Sequence, residues 1–258
     1  MKYETITFEI TDNIAIVTLD RPDVMNALNT QMRAEITHAV KDGGKRARVV
    51  VITGGGRAFC SGQDLGGDAN PADIDLERTL RDEYMPMLDA ITKCPVPTIC
   101  AVNGPAAGAG ANLALAADVV IAADTAYFLQ AFSRIGLIPD AGGTYVLPRQ
   151  IGLAKAMGAA LFADKISARQ ASDWGMIWES VPDEKFVNHW MARATYLANG
   201  PTVAFGHIKT AIRGSFERSE EDQLAMEAQL QGACGATRDF KEGVTAFLGK
   251  RPASYEGR

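Results

Sequence analysis

Residues 99–118, ICAVNGPAAGAGANLALAAD, constrain the fold more than any other stretch of this chain. An apolar run breaks into a Gly/Ala loop and resumes as an apolar helix. The spacing predicts a strand over Thr98–Val102, a helix near Ala109–Ala117 and a further strand over Val119–Ala122. Strand, helix and strand in that order imply an α/β core with crossover connections. From Gly104 to Ala111 the loop holds one proline, and the rest is glycine and alanine. What such a loop can offer a ligand is backbone. Small residues let an atom come close, and the first N–H groups of the following helix have no partner within it. A polarised or anionic oxygen is a natural guest there. Close packing of a helix on a sheet also favours Gly and Ala, so both readings stand on these residues alone.

The rest of the chain extends this pattern. Thr5–Ile10 and Ile14–Leu19 alternate apolar and polar residues and predict a hairpin through Thr11–Asn13. Asn29 or Thr30 can cap a helix to about Lys41, where Asp42-Gly43-Gly44 ends it. Val49–Thr53 reads as a short buried strand, followed by the turn Gly54-Gly55-Gly56. Gly66–Asp73 has little to pack and reads as a mobile loop, and Asp73–Lys93 has helical spacing. After about Gly152 helices dominate: Leu153–Phe162, Ala168–Trp174, Glu184–Ala198, Thr202–Ser215 and Ser219–Ala233, with Trp178–Val181 as the only strand. The division expected is a core over 1–195 and a helical carboxy-terminal region over 196–258.

Composition excludes several function classes. Acidic side chains outnumber basic ones, for a net charge of −5, which argues against a general nucleic-acid surface. No run is apolar enough to cross a bilayer, and MKYETITFEI lacks the apolar core of a signal peptide. Cys60, Cys94, Cys100 and Cys234 form no Cys-x-x-Cys pair, so they read as reduced, cytoplasmic thiols without a zinc site. There is no Gly-x-Ser-x-Gly elbow and no His-Glu-x-x-His helix. His38, His189 and His207 lie far apart without a matching motif, and Ser61 has no histidine placed to activate it.

A second loop, Thr53–Leu65 (TGGGRAFCSGQDL), resembles the first in kind. Two strand-end loops with accessible N–H groups can converge on one oxygen as an oxyanion hole. GRAFCSGQDL, ICAVNGPAAGAGANLALAADVVIAA and FSRIGLIPDAGGTYVLPR together resemble the ordered blocks of the crotonase (enoyl-CoA hydratase/isomerase) superfamily. RPDVMNAL and EGVTAFLGKR extend the resemblance over nearly the whole chain. It implies a spiral of ββα units, a helical carboxy-terminal trimerisation region, and an assembly as a homotrimer or dimer of trimers. The implied substrate is an acyl-CoA thioester, with coenzyme A part of the substrate and neither a separate cofactor nor a metal required.

Carried onto this sequence, the resemblance places the oxyanion-hole N–H groups on Gln63 and Ala109. Removing a proton alpha to a thioester puts charge on the carbonyl oxygen, and such donors are worth about 3–4 kcal/mol each in the transition state. Hydratases of the family use two glutamates to activate water. Here those positions hold Asn112 and Phe132, and neither is a base. Asp140, in Leu-Ile-Pro-Asp-Ala-Gly-Gly, occupies a position usually glycine in the hydratases. FSRIGLIPDAGGT, LPR and ASDWGMIW resemble the phenylacetate-degradation isomerases, which convert an epoxyphenylacetyl-CoA to an oxepin-CoA and shift double bonds. That makes Asp140 the single acid/base. Without the resemblance, Asp140 reads as a helix cap.

Further substrate contacts implied by the resemblance fall on Ala27, Leu28, Arg57, Asp64, Leu65, Asn112, Phe132, Phe247 and Lys250, with Arg21 nearby. Tyr84, Met85, Met87 and Leu88 read as pocket lining or as plain core. The alternatives are an enoyl-CoA hydratase of fatty-acid oxidation, a Ser61 hydrolase, or a non-catalytic or RNA-binding relative.

Overall fold

The structure is a computed structural model and describes residues 2–66 and 75–258. The hairpin forms from β1 (Ile6–Thr11) and β2 (Ile14–Leu19), with Asp12 and Asn13 left-handed at its turn. α1 (Thr30–Arg46) follows, capped by the Asn29 side chain, and leads to β3 (Val49–Gly54). α1 passes through Asp42-Gly43-Gly44 instead of stopping there. A Cβ added at Gly43 would lie 2.8 Å from the Ala15 Cβ and one at Gly44 2.9 Å from the Cys94 Sγ, so these glycines serve close packing of α1 on β2 and on the segment before β4. Burial offsets their low helix propensity.

Next come α2 (Leu76–Thr79) and α3 (Met85–Thr92), joined by one π-helical turn over Leu80–Tyr84. The helix expected from Asp73 therefore begins at Leu76 on an Asp75 cap. Residues 67–74, which hold most of the expected mobile loop, lie outside the described residues. β4 (Thr98–Val102), β5 (Ala106–Ala107), α4 (Ala109–Leu115), β6 (Val119–Ala123) and β7 (Tyr127–Leu129) come next. They are followed by α5 (Gly143–Phe162), β8 (Ile166–Ser167), α6 (Ala168–Asp173), β9 (Glu179–Val181) and α7 (Asp183–Ala198). Gly152 breaks helical geometry inside α5 (φ 75°, ψ 163°), so the segment expected from Leu153 is its second half. β8 corrects the expectation of a single strand after Gly152.

The main sheet runs β1-β2-β3-β4-β6-β9, parallel throughout except β1 against β2. A second sheet pairs β5, β7 and β8. The chain gives a strand to the large sheet (β4, β6) and then a short one to the small sheet (β5, β7), so the ββα succession is real. Both faces of the large sheet are covered. Ala15, Val17, Val50, Ile52 and Cys100 face one cluster with α1, α3 and α4, while Ile16, Val51, Ile99 and Ile121 face another with α7. Burial on both sides explains why these parallel strands are continuously apolar. Ala194 and Ala198 belong to the second cluster, so residue 195 lies inside a helix that closes the core. α8 (Thr202–Arg213), α9 (Glu220–Gly235) and α10 (Arg238–Leu248) complete the chain. Among the described residues no helix is long and apolar enough to cross a membrane.

Candidate active site

β3 and β4 are parallel neighbours, so the loops after them leave the same edge of the sheet. Asn103 ties them: its Oδ1 accepts from Gly54 N at 3.2 Å, and its Nδ2 donates to Gly56 O at 3.0 Å. Further on, Phe59 N and Cys60 N donate to Pro105 O, and Ala107 N donates to Cys60 O at 2.9 Å. Asn26 braces the first loop from below, with its buried Nδ2 2.9 Å from the carbonyls of both Gly55 and Ala58. The two Gly-rich loops are thus zipped together along their backbones.

The junction is also close at Gly62. Its φ of +99° suits glycine, and an added Cβ would meet Ala107 O at 2.8 Å and Ala109 N at 3.4 Å. Leu28 N donates to Gly62 O, and Asp64 N donates to Leu28 O. With those groups turned toward Leu28, the Gln63 N–H turns away from it. Gly108 N donates to Leu129 O, and Ala109 opens α4. Neither the Gln63 N–H nor the Ala109 N–H donates to a protein acceptor among the described residues. They are free donors on converging loops.

The Gln63 side chain is clamped. Its Oε1 accepts from the Tyr84 hydroxyl at 2.6 Å and from Arg33 Nη1 at 2.9 Å. Arg33, buried, also donates to Leu28 O, pairs with Glu83 at 2.5 Å, and lies 4.8 Å from the Tyr84 ring centre. Burial would raise the Glu83 carboxyl, but hydrogen bonds from Arg33 and Thr30 and the Arg33 and Arg78 charges together outweigh it and hold the group below its usual range.

Asp140 sits between the small sheet and α5. It is not the helix cap: Gly142, at φ 84°, holds that position without a side-chain bond. The Asp140 carbonyl accepts from Gly143 N at 2.8 Å and from Asn112 Nδ2 at 2.7 Å. Its Oδ1 is buried and has no partner among the described residues, and burial raises the carboxyl to about 6. Burial first, opposed by Arg33 and then joined by the Asp140 charge, raises the Tyr84 hydroxyl above its usual range. Phe132 is buried with its ring 3.9 Å from where a Gly108 Cβ would stand.

Other candidates are placed differently. Asp64 pairs with Arg21 at 2.7 Å and accepts from Gly66 N; hydrogen bonds from both hold its carboxyl below the usual range despite burial. Ala27 and Leu28 are buried beside the first loop, while Arg57 and Leu65 are exposed. Met87 is core and Met85 is exposed. Among the described residues the Ser61 hydroxyl reaches only Val24 O, at 3.3 Å. His38 bonds Tyr3 and His189 bonds Glu179, each at 2.8 Å. Phe247 lines an apolar cleft of about 910 Å³ among α8, α9 and α10, which shares no residue with the two loops; Lys250 lies just past α10. Within one chain, neither is brought to Asp140. Sequence reasoning missed Arg33 and Gln130, since nothing in their neighbours marks them as buried.

Two Gly-rich strand-end loops presenting free amides near a half-buried carboxylate, on a ββα fold, define an enzyme scaffold of the crotonase type. The chain belongs to the enoyl-CoA hydratase/isomerase family, whose model it matches over residues 9–258. It is 58% identical to a Rhodobacter capsulatus protein named "Probable enoyl-CoA hydratase", over 100% of both chains. It is 42% identical to the 1,2-epoxyphenylacetyl-CoA isomerase of Escherichia coli K12, over 99% of both. The crystal structure of an enoyl-CoA hydratase from Polaromonas sp. JS666 superposes with a TM-score of 0.92 at 32% identity, covering 97% of this chain and 99% of that one.

Proposed function

We propose that this enzyme is an acyl-CoA isomerase working through a thioester enolate, with Asp140 as sole acid/base. The observation that carries the reading is a half-buried Asp140, whose buried Oδ1 has no partner among the described residues, together with Asn112 and Phe132 at the positions where a hydratase carries glutamates. The thioester carbonyl oxygen accepts from the Gln63 and Ala109 N–H groups. Ionised Asp140 takes a proton from a carbon conjugated with that carbonyl. The C–H electron pair moves into the enolate, and the same carboxyl returns the proton at a second carbon, so the double bond shifts without added water. A ring epoxide becomes an oxepin with the same balance: the C–C bond shared by epoxide and ring breaks as the ring expands, and Asp140 takes the alpha proton and returns it to a ring carbon. Among the described residues, two-carboxylate activation of water lacks a second free carboxylate at the site, since Asp64 is held by Arg21 and Gly66 and Glu83 by Arg33.

The likeness to the epoxyphenylacetyl-CoA isomerase supports this reading, and the name of the Rhodobacter relative supports hydration as its rival. Incubating the protein with 2-enoyl-, 3-enoyl- and epoxyphenylacetyl-CoA esters, with products identified by mass and absorbance, tests it. Isomers are expected, with little loss of enoyl absorbance from crotonyl-CoA. Rapid hydration of crotonyl-CoA would overturn the proposal.

We also infer a homotrimer or dimer of trimers, in the cytoplasm. Exposed Ile208, Ile212, Phe216, Phe240 and Phe247 on the helical region support the assembly, and four free cysteines support the setting. Light scattering should give three or six chain masses; a monomer would refute it.

A further inference from the structure

Resting on that reading of Asp140, we propose that Asn112 and Gln130 are a positioning pair that grips the Asp140 main chain and so sets its carboxyl relative to the Ala109 N–H. Asn112 is not simply a missing glutamate. It is buried at 2% exposure and its amide is used at both ends. Nδ2 donates to Asp140 O at 2.7 Å, while Oδ1 accepts from Gln130 Nε2 at 2.9 Å. Gln130, at 1% exposure, has its Oε1 buried without a partner among the described residues, so the Asp140 carbonyl, with Gln130 Nε2 as the complementary donor, fixes the facing of the Asn112 amide. Turned over, it would set oxygen against oxygen at Asp140.

The grip matters because the Asp140 loop has little regularity of its own. Ala141 and Gly142, which follow, are both left-handed. Asp140 O is therefore held from two sides, by Gly143 N at the start of α5 and by Asn112 on α4. Ala109 and Asn112 are one turn apart on α4, hence on one face of a rigid element. The same short helix presents the free donor and ties the base. Their separation is fixed by a single helical turn.

Glutamate at 112 would break this arrangement. It has no donor for the Asp140 carbonyl, and it brings a second negative charge toward the Asp140 carboxylate. There is no spare room either, since a Cβ on Gly143 would collide with the Asn112 amide. Asp140 with Asn112, and glutamate at 112 without Asp140, are alternative solutions to one site.

The test uses the full-length protein and the ester it isomerises. Asn112→Ala should lower kcat by about 10²-fold and Gln130→Ala by about 10-fold, as expected for a misplaced reacting group, with KM within about threefold. The double variant should be no slower than Asn112→Ala, because the pair acts as one chain. The acid limb of kcat should move to lower pH in both single variants as the released carboxyl reaches water; Tyr84, its titratable neighbour, stays neutral there. Asn112→Glu should gain no crotonyl-CoA hydration. A purely structural pair would lower Tm, act additively and leave the acid limb in place. Should Asn112→Ala fail to fold, Gln130→Ala and its pH profile decide alone. Parental kcat and acid limb in these variants, beside an inactive Asp140→Asn, sink the positioning pair and spare the base. An active Asp140→Asn sinks the base itself.

Discussion

Asp140→Asn is expected to lower isomerisation turnover by about 10³-fold, within the range that positioned acid–base groups contribute. Its KM should change little, because both loops that receive the thioester keep their backbones. Parent and variant should differ in pH dependence as well. The base works only when ionised, and burial raises the Asp140 carboxyl to about 6. Parental turnover should therefore fall as the pH drops through about 6, and the residual rate of the variant should lack that limb. Steady-state rates from pH 4.5 to 8 read both effects, on about the scale of one titrating group. Near-parental turnover in the variant would remove Asp140 from the chemistry.

The same substitution should stabilise the fold. A raised carboxyl binds its proton more tightly folded than unfolded. Its favourable contribution is complete below the ordinary value of 3.8 and is lost as the pH rises through about 6. At pH 8 the parent holds a half-buried charge whose buried Oδ1 has no partner among the described residues. Removing that charge should raise stability by about 1–3 kcal/mol, and the gain should vanish toward about pH 4. Thermal melts at the two pH values measure it. Equal melting at pH 8 would mean that the carboxyl is solvated well enough to carry its charge freely.

How much of this was legible in the sequence differs by element. The strands were, because a parallel sheet covered on both faces demands unbroken apolar runs such as Val49–Ile52 and Thr98–Val102. The end of α1 was not. Asp42-Gly43-Gly44 has the letters of a stop, yet Gly43 is there to let β2 approach. The first half of α5 was also hidden, since Gly142 starts it with no capping side chain and Pro148 interrupts its pattern. The two loops showed themselves through glycine, because only backbone that must come close needs so many small residues. The clamp on Gln63 and the grip on Asp140 did not. Arg33 and Gln130 are ordinary surface residue types, and only the fold turns them inward to meet Gln63 and Asn112. Asp140 carried two readings, cap or base, and α5 uses Gly142 as its cap.

Ala109→Pro separates the donor from the helix that carries it. Ala109 is the first residue of α4, where proline is tolerated: the fixed φ suits a helix and the lost N–H has no intrahelical acceptor. Gly108 before it, at φ 52° and ψ −129°, lies outside the right-handed helical region that a following proline disfavours. The fold should therefore survive, with Tm within a few degrees of the parent. Catalysis should not. One of two donors to the developing oxyanion is deleted and a ring methylene takes its place, for a loss of about 10²–10³-fold in kcat, as when single oxyanion-hole donors are removed elsewhere. KM should rise less, because the donor serves the enolate more than the neutral carbonyl. A loss under about fivefold would assign the stabilisation to other groups. Combined with Asp140→Asn, the two losses should fall well short of multiplying. Without a base no enolate forms, and a hole has little charge to stabilise; groups that serve one intermediate fail as a unit. Full multiplicativity would instead mean that Asp140 and the amides act on different steps, and that the short span of α4 from Ala109 to Asn112 joins them in space without joining them in chemistry.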